Sequence, residues 1–514
     1  IYKGCINKEV EKYLDRIELE CKELVGISKG LNQSVSAYLV TTEKMLNDLI
    51  WENSESIVGC GRGSVTGFVT AYLLNIVQVD ALKQSFDLPH WRFLSATRID
   101  FPDVDTDLPS HKRDRVFYEV RKYFRGIGGD VVRCGAFRTE TSKSAINTVF
   151  RGCKINNDLS AYVSNLVPIE RGNVWSIEDC YYGNSEKGRL LVSEFKRIID
   201  EYEDIHLLDK LLKCQGLITG ITSHPCGIVP FSYEMEKNGM SKMKAPNGET
   251  IICYGLHESE YCSAIKVDFL CTKQASLVQI CMELLLEYGY IEWQGSLRKT
   301  YDKYFLPEIL DQTSYEMWED ICNNRYLELF QFDTPMGKKA LDFIKPHSLL
   351  ELATSNSLMR LQVDSGEQPM EQYSRYKKDI NEWYKDMEDY GLNQEEMDIL
   401  KEHLLPSYGL CAEQETMMKL SMDKRISNFD VPASNKLRKS VAKKRKDILE
   451  ETKQMFFEAG LKNGCREVFL DYIWNTRFSM QFGYSFSLNH TCAYSWNAII
   501  EANLNFHYPR IFWN

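Results

Sequence analysis

Pro102-Asp103-Val104-Asp105-Thr106-Asp107 and, further along, Ala264-Ile265-Lys266-Val267-Asp268-Phe269-Leu270 carry the reading of this 514-residue chain. On a strand alternate side chains share a face, so Asp103, Asp105 and Asp107 form a row of carboxylates, and Lys266 and Asp268 share a face of a second strand. Carboxylates gathered from two strands make a cradle for two divalent cations about 4 Å apart, the arrangement that steadies the attacking and leaving oxygens of an in-line phosphoryl displacement. Hard oxygen ligands point to Mg2+. Acidic residues alternating with apolar ones equally describe a strand with one wet face, so the surrounding sequence decides between the two.

Upstream lies Val58-Gly59-Cys60-Gly61-Arg62-Gly63-Ser64, running into the apolar stretch Val65 to Leu74. It reads as a glycine-rich turn opening a buried helix. Glycines let backbone N–H groups approach an anion, and a helix start adds positive potential. Ser64 serves as readily as a helix cap. The segment lacks the Gly-Lys-Ser/Thr ending of a Walker A loop, and its glycines at 59, 61, 63 and 67 do not space as a dinucleotide fingerprint.

Taken in order, Gly61-Arg62-Gly63-Ser64, Arg92-Phe93-Leu94 with Arg98, Pro102-Asp103-Val104-Asp105 and Lys266-Val267-Asp268-Phe269-Leu270 resemble the palm of the C-family replicative DNA polymerases, the bacterial polymerase III alpha subunits. The resemblance continues through Lys143 and Arg151, His224-Pro225-Cys226-Gly227, and Leu329-Phe330-Gln331-Phe332-Asp333. It then runs through Tyr408-Gly409 with Gln414-Glu415, and Leu437-Arg438-Lys439 with Lys443-Lys444. It ends at Gly483-Tyr484-Ser485-Phe486 with His490, Ala493 and Tyr494. The chain departs from that pattern at Cys60 for proline, Lys439 for arginine, Ala442 for glycine, and Ser487-Leu488-Asn489 for an Asn-Lys-Ser-like triplet. Met359-Arg360-Leu361-Gln362 stands where the family has Arg-Pro-Gly-Pro. Leu488 removes a cation near the incoming nucleotide, so either Lys443 or Lys444 compensates or catalysis is weaker.

The resemblance implies an α+β protein with a nucleotidyltransferase-like (polymerase-beta-like) palm and a mainly helical thumb and fingers. The palm is expected over 1–140 and 221–285, the thumb over 141–220 and the fingers over 286–514. The implied activity is template-directed DNA synthesis from deoxynucleoside triphosphates on primer-template DNA. Asp103, Asp105 and Asp268 would hold two Mg2+ ions, and Asp107 would be structural. Lys266 would add a cation or general acid, or else pair with Asp268. Arg62, Gly63, Ser64, Arg98, Arg438, Lys439, Lys443, Lys444 and His490 would bind nucleotide. Phe486 would help sense the sugar, Tyr484 would stack on a base, and Lys143 and Arg151 would touch DNA phosphates. Other replicase subunits or a sliding clamp are implied partners.

Composition agrees with a soluble globular protein of two to four domains: 44% apolar and 12% aromatic residues, with no apolar run long enough for a bilayer; the resemblance implies a cytoplasmic, nucleoid-associated one. Sixteen scattered cysteines without a Cys-x-x-Cys pair read as free thiols. The net charge of −11 leaves nucleic-acid contact to local patches, here Lys112 to Arg125 and Lys436 to Lys446. Residues 6 to 25 carry helical apolar spacing, 51 to 72 and 98 to 108 a strand, turn, helix and strand, and 140 to 220 mainly helices. Asn393 with Glu396 reads as a capped helix start. The opening Ile1 suggests a sequence beginning inside a longer product, and neither a metallophosphoesterase domain nor an exonuclease motif is seen. Two rival readings are a two-metal nuclease, which needs no triphosphate grip, and a non-catalytic replication scaffold.

Overall fold

The computed structural model describes residues 8–99, 101–102, 104–170, 173–185, 188–235, 240–254, 266–326, 328–363, 366–442 and 446–513. The fold is mixed α+β and divides into two compact units. One comprises 1–131, 267–443 and 448–514, and the other 132–266 with 444–447. Residues 221–266 therefore group with the helical stretch before them.

In the first unit the helix Lys8–Leu31 covers the stretch whose spacing predicts it. Its Glu20, fully buried, accepts the N–H groups of Val69 and Thr70, both at 2.9 Å, and so caps the short helix Val69–Leu73 from a distance. The strand expected after Trp51 does not form. Residues Met45–Asn53 wind as a π-helix, and the extended run after them finds its partners singly. Ile57 N–H donates to Gln279 Oε1 and Cys60 N–H to Asn497 Oδ1, both at 3.1 Å, while Gly59 N–H reaches Asp107 O at 3.1 Å. Buried backbone groups must be satisfied, and here side chains and one carbonyl do what a ladder would have done.

The strands Asp105–Pro109 and Val267–Thr272 run parallel, in register from Asp105 opposite Asp268 to Pro109 opposite Thr272. Thr272 Oγ1 caps the following helix, Lys273–Glu287, by accepting Ala275 N–H at 3.2 Å. Two further helices, Leu349–Leu358 and Leu488–His507, pack on each other and are buried almost all round. Their Ser, Thr and Asn residues therefore lie inside, where only internal hydrogen bonds can satisfy them. Asn503 Nδ2, for instance, donates to Ile499 O and Asp311 O. A separate core of Tyr373, Tyr376, Trp383, Phe456, Trp474 and Phe478 holds the helices of residues 369–478. The predicted cap at Asn393 is present as a reciprocal box: Asn393 Oδ1 takes Glu396 N–H at 3.0 Å, and Glu396 takes Asn393 N–H at 2.9 Å.

The second unit joins a sheet to a helical cluster. Its strands lie in the order Ile218–Phe231, Asp130–Thr139, Thr250–Ile252, Lys242–Lys244. Helices between 142 and 214 enclose Ile146, Phe150, Val163, Phe195, Ile199 and Leu211. Among the described residues every cysteine is a free thiol, and no helix is long and apolar enough to cross a membrane.

Candidate active site

Asp105 and Asp268 are direct partners on adjacent parallel strands, so their side chains leave the same face of the pair. Asp105 is partly open, its side chain 20% exposed, whereas Asp107 is 1% exposed. The expected carboxylate row is thus uneven. Asp107 is a buried counter-ion to Arg62, whose Nη1 donates to Asp107 Oδ1 at 3.0 Å. Burial pushes the Asp107 carboxyl up, against the pull of Arg62. Arg62 Nε lies 4.0 Å from Asp105 Oδ2, and its guanidinium lies over the Tyr494 ring.

The glycine-rich loop joins this region through a bridge between Gly63 and Val104 and through Gly59 N–H to Asp107 O. Gly63 has φ 77°, a conformation that glycine adopts without strain. Ser64 opens a 3-10 turn, Ser64–Gly67, rather than the long helix the sequence suggests, and the helix proper begins only at Val69. Gly67 lies against Asn489, which comes from the same helix as His490 and Tyr494.

Three arginines from two segments lie near one another, Arg92 and Arg98 from the stretch 90–98 and Arg438 from the helix Val431–Ala442. Arg92 pairs with Glu415 (Nε to Oε1, 3.5 Å) and hydrogen-bonds Gln414. Arg438 donates to Asn435 at 3.3 Å and reaches Gln414 Oε1 at 3.5 Å, while Arg98 lies over the Phe93 ring. Burial, with the positive charge of Arg98, brings Arg438 down to about 10. Burial also brings Arg92 down to about 9; Arg438 and Arg98 add to that effect and Glu415 opposes it. Arg92 Nε and Nη1 are buried with no hydrogen-bond partner among the described residues. Clustered guanidiniums, with these Arg92 donors unspent, suit a polyanion.

Glu415 also organises the neighbouring helix. Its carboxylate accepts Leu488 N–H at 2.7 Å and Ser487 Oγ–H at 2.5 Å, so it caps Leu488–His507 and places His490. Leu488 itself is buried at that helix start. The His490 ring lies among Phe93, Phe486 and Tyr494, with centroids 5.5, 5.8 and 6.5 Å away. Burial, then the charges of Arg92 and Arg62, push its pKa from 6.5 down to about 4.

Arg92, Glu415 and Arg360 were given no site role by the sequence. Arg92 and Glu415 stood within quoted motifs, and that was their only signal. Arg360 Nη2 donates to Gln331 Oε1 at 2.6 Å, and its guanidinium lies 4.7 Å over Phe486. The turn at Met359–Leu361 closes without the family's proline and glycine, through Arg360 N–H to Ser357 O and Leu361 N–H to Leu358 O.

Lys439 is exposed on the helix Val431–Ala442. Lys143 and Arg151 stand on one ridge of Ser142–Gly152, and His224 Nδ1 accepts Cys226 and Gly227 N–H at 3.2 and 2.7 Å, all within the second unit. Lys266, also counted there, is half-buried just before the strand Val267–Thr272. Asp103, Lys443 and Lys444 lie outside the described residues. Among those described, no group of three or more His, Cys, Asp or Glu side chains is poised to hold a metal; Asp105 and Asp268 supply two hard oxygen donors facing one way.

A cluster of arginines and a pair of facing carboxylates, on a mixed α+β frame, suit a nucleotide-handling protein. Comparison with known families narrows that class. The model described as "Bacterial DNA polymerase III alpha NTPase domain" matches residues 2–271, and the "Bacterial DNA polymerase III alpha subunit finger domain" matches 292–464. The chain belongs to the bacterial DNA polymerase III alpha family, as its motifs imply. It is 41% identical over 508 residues to "Probable DNA polymerase YorL" of Bacillus subtilis and equally to the "DNA-directed DNA polymerase" of Bacillus phage SPbeta, covering 98% of this chain and 38% of each relative. To the "DNA polymerase III subunit alpha" of Rickettsia felis it is 28% identical over 489 residues, 94% of this chain and 37% of that protein. The chain thus spans little more than a third of the length of these relatives.

Proposed function

We propose that this chain is the catalytic core of a template-directed DNA polymerase that adds deoxynucleotides to a primer 3′-hydroxyl. The observation that carries the reading is the register pairing of Asp105 with Asp268 within reach of Arg62, in a chain of this family. Residues 1–140 and 221–285 act as a nucleotidyltransferase-like palm, 141–220 as thumb and 286–514 as fingers. Asp105 and Asp268, joined by Asp103, hold two Mg2+ ions, which when bound acidify the primer hydroxyl and neutralise the triphosphate.

The chain's own groups do the rest. Gly63 and Ser64 offer backbone and hydroxyl donors to phosphate oxygens, and Arg62, Arg92, Arg98 and Arg438 counter their charge from a partly dehydrated wall. Lys439, with Lys443 and Lys444, adds cations from the fingers, and Lys266 one from beside Asp268. Neutral, buried His490 and the ring of Phe486 shape the space for the sugar, while Lys143 and Arg151 meet DNA phosphates without reading sequence. Further replicase subunits or a sliding clamp join the complex.

Primer extension with Mg2+ and either deoxynucleotides or ribonucleotides tests the proposal, with wild type set beside Asp105→Asn and Lys439→Glu. Deoxynucleotide extension lost in the first variant and weakened in the second is the expected outcome. Primer shortening that survives Lys439→Glu establishes a nuclease instead, and inactivity of every protein sinks the assignment of catalysis to this chain alone.

A further inference from the structure

The guanidinium of Arg360 is tied down from two directions and sits over an aromatic ring from a third. Nη1 donates to Oδ1 and to the backbone oxygen of Asn356, in the buried helix Leu349–Leu358, and Nη2 donates to Gln331 Oε1 at 2.6 Å. Both anchors are stiff. Gln331 holds φ 71° in a turn pressed on the helix Pro335–Ile344, where a Cβ on Gly337 would come 2.5 Å from Phe332 Cα. A guanidinium is a rigid planar fork, so two fixed arms fix where its cation sits. Here Cζ lies over the half-buried ring of Phe486, 4.7 Å from the centroid, and a cation so placed is drawn to the ring's electron-rich face. The Phe486 backbone is set separately, its carbonyl accepting Gln414 N–H at 2.9 Å. Only the tilt of the ring is left to its neighbours, Arg360 and the rings of Tyr484, His490 and Tyr494. Among the described residues Arg360 makes no ion pair, and burial pulls its pKa down, so keeping a cation there is costly.

We propose that Arg360 is a positioning residue for sugar selection: braced by Asn356 and Gln331, it sets the ring of Phe486 against the 2′ position of the incoming nucleotide. The inference rests on Phe486 shaping the space for the sugar, as proposed above. Deoxy- and ribonucleotides differ there by one hydroxyl, and a displacement of about 1 Å at a positioning contact is enough to change rates strongly. Arg360→Lys keeps the charge but loses the planar fork, so the ring is free to turn. Gln331→Asn suits the left-handed backbone and withdraws the oxygen from Nη2, loosening one arm alone.

Insertion of a single dGTP or GTP opposite template cytosine by the full 514-residue chain tests this, read as the ratio of the two kcat/KM values. Competition of the two nucleotides for the complex with a dideoxy-ended primer reads the same preference as relative affinity, without bond formation. Wild type should favour dGTP. Arg360→Lys should lower that preference roughly 10-fold, the low end of what a shaped apolar pocket achieves against one added group. Gln331→Asn should lower it by less. A merely structural loss would lower both nucleotides alike and leave the ratio standing. Phe486→Ala should lower the ratio by itself, and Arg360→Lys added to it should change the ratio no further. A wild type that takes both sugars alike, a wild-type ratio in Arg360→Lys, or a further loss when it is added to Phe486→Ala overturns the positioning role. An unchanged ratio in Phe486→Ala overturns the sugar-facing reading of Phe486 itself. Should Arg360→Lys fail to fold, Gln331→Asn decides: a lowered ratio whose change vanishes beside Phe486→Ala supports the proposal, and a wild-type ratio overturns it.

Discussion

Asp105 and Asp268 occupy register positions directly opposite each other on two parallel strands, like charges on one face of the sheet. Like charges placed directly opposite one another oppose folding. Replacing either by Asn should therefore leave the thermal midpoint unchanged or raise it. Primer extension should fall at least ~10³-fold, as when one member of a catalytic unit is removed. Calorimetry alongside a turnover assay checks both; a destabilised Asp268→Asn protein would show that the carboxylate is held for structure.

Glu415 serves Arg92 and the start of the helix Leu488–His507 at once, with 1% of its side chain exposed. Removing one partner of a buried pair strands the other, at about 3–5 kcal/mol. Glu415→Ala should approach that loss in chemical denaturation. Glu415→Gln keeps a hydrogen-bonding oxygen for Leu488 N–H, and should lose less stability but raise the KM for deoxynucleotide, because Arg92 loses its counter-charge. Equal effects of the two variants on KM and on stability would refute the division.

Two buried groups should make stability respond to pH in opposite senses. His490 falls from 6.5 to about 4, so between those values the unfolded chain binds the proton and stability rises with pH. Glu413 is pushed up from 4.5 to about 7 by burial and then by Glu415, so the folded chain keeps its proton and stability falls as pH rises from 4.5 to 7. Each slope is about 1.4 kcal/mol per pH unit, and where the two windows overlap they cancel. Unfolding free energies measured at pH 5 and 6 should show His490→Phe losing stability with rising pH and Glu413→Gln gaining it. Parallel slopes in the two variants would contradict the assignment.

The strands that carry Asp105, Asp107 and Asp268 were legible because a strand's period of two is written into a few consecutive residues, whereas Lys266 falls just before its strand. The cap at Asn393 was legible for the same local reason. What escaped was long-range. Arg92 meets Gln414 across more than three hundred residues, so no window of sequence shows that its guanidinium is buried, paired and short of partners. The helix Leu488–His507 hides differently: buried all round, it has no polar face and hence no 3.6-residue signature. The extended run before Cys60 reads as a strand by its Ile-Val content, yet its hydrogen bonds go to Gln279 and Asn497, whose approach only tertiary structure reveals.

That tertiary support has a narrow point at Gly67. A Cβ there would come 2.3 Å from Asn489 Nδ2, and neither polar atom of the Asn489 side chain has a hydrogen-bond partner among the described residues. Gly67 is therefore needed for close approach and not for backbone freedom, since its φ lies outside the left-handed region. Gly67→Ala must displace either the 3-10 turn Ser64–Gly67 or the first turn of Leu488–His507, an overpacking strain of about 1–3 kcal/mol. Both elements carry proposed nucleotide contacts, Ser64 on one and His490 on the other, so KM for deoxynucleotide should rise together with the loss of stability. Asn489→Ala removes the obstructing atoms and, because Asn489 satisfies no partner, should itself cost little. Combined with Gly67→Ala it should recover most of the lost stability, giving a coupling of opposite sign to the single effect. A double variant whose losses merely add would mean that the turn and the helix do not meet through this pair.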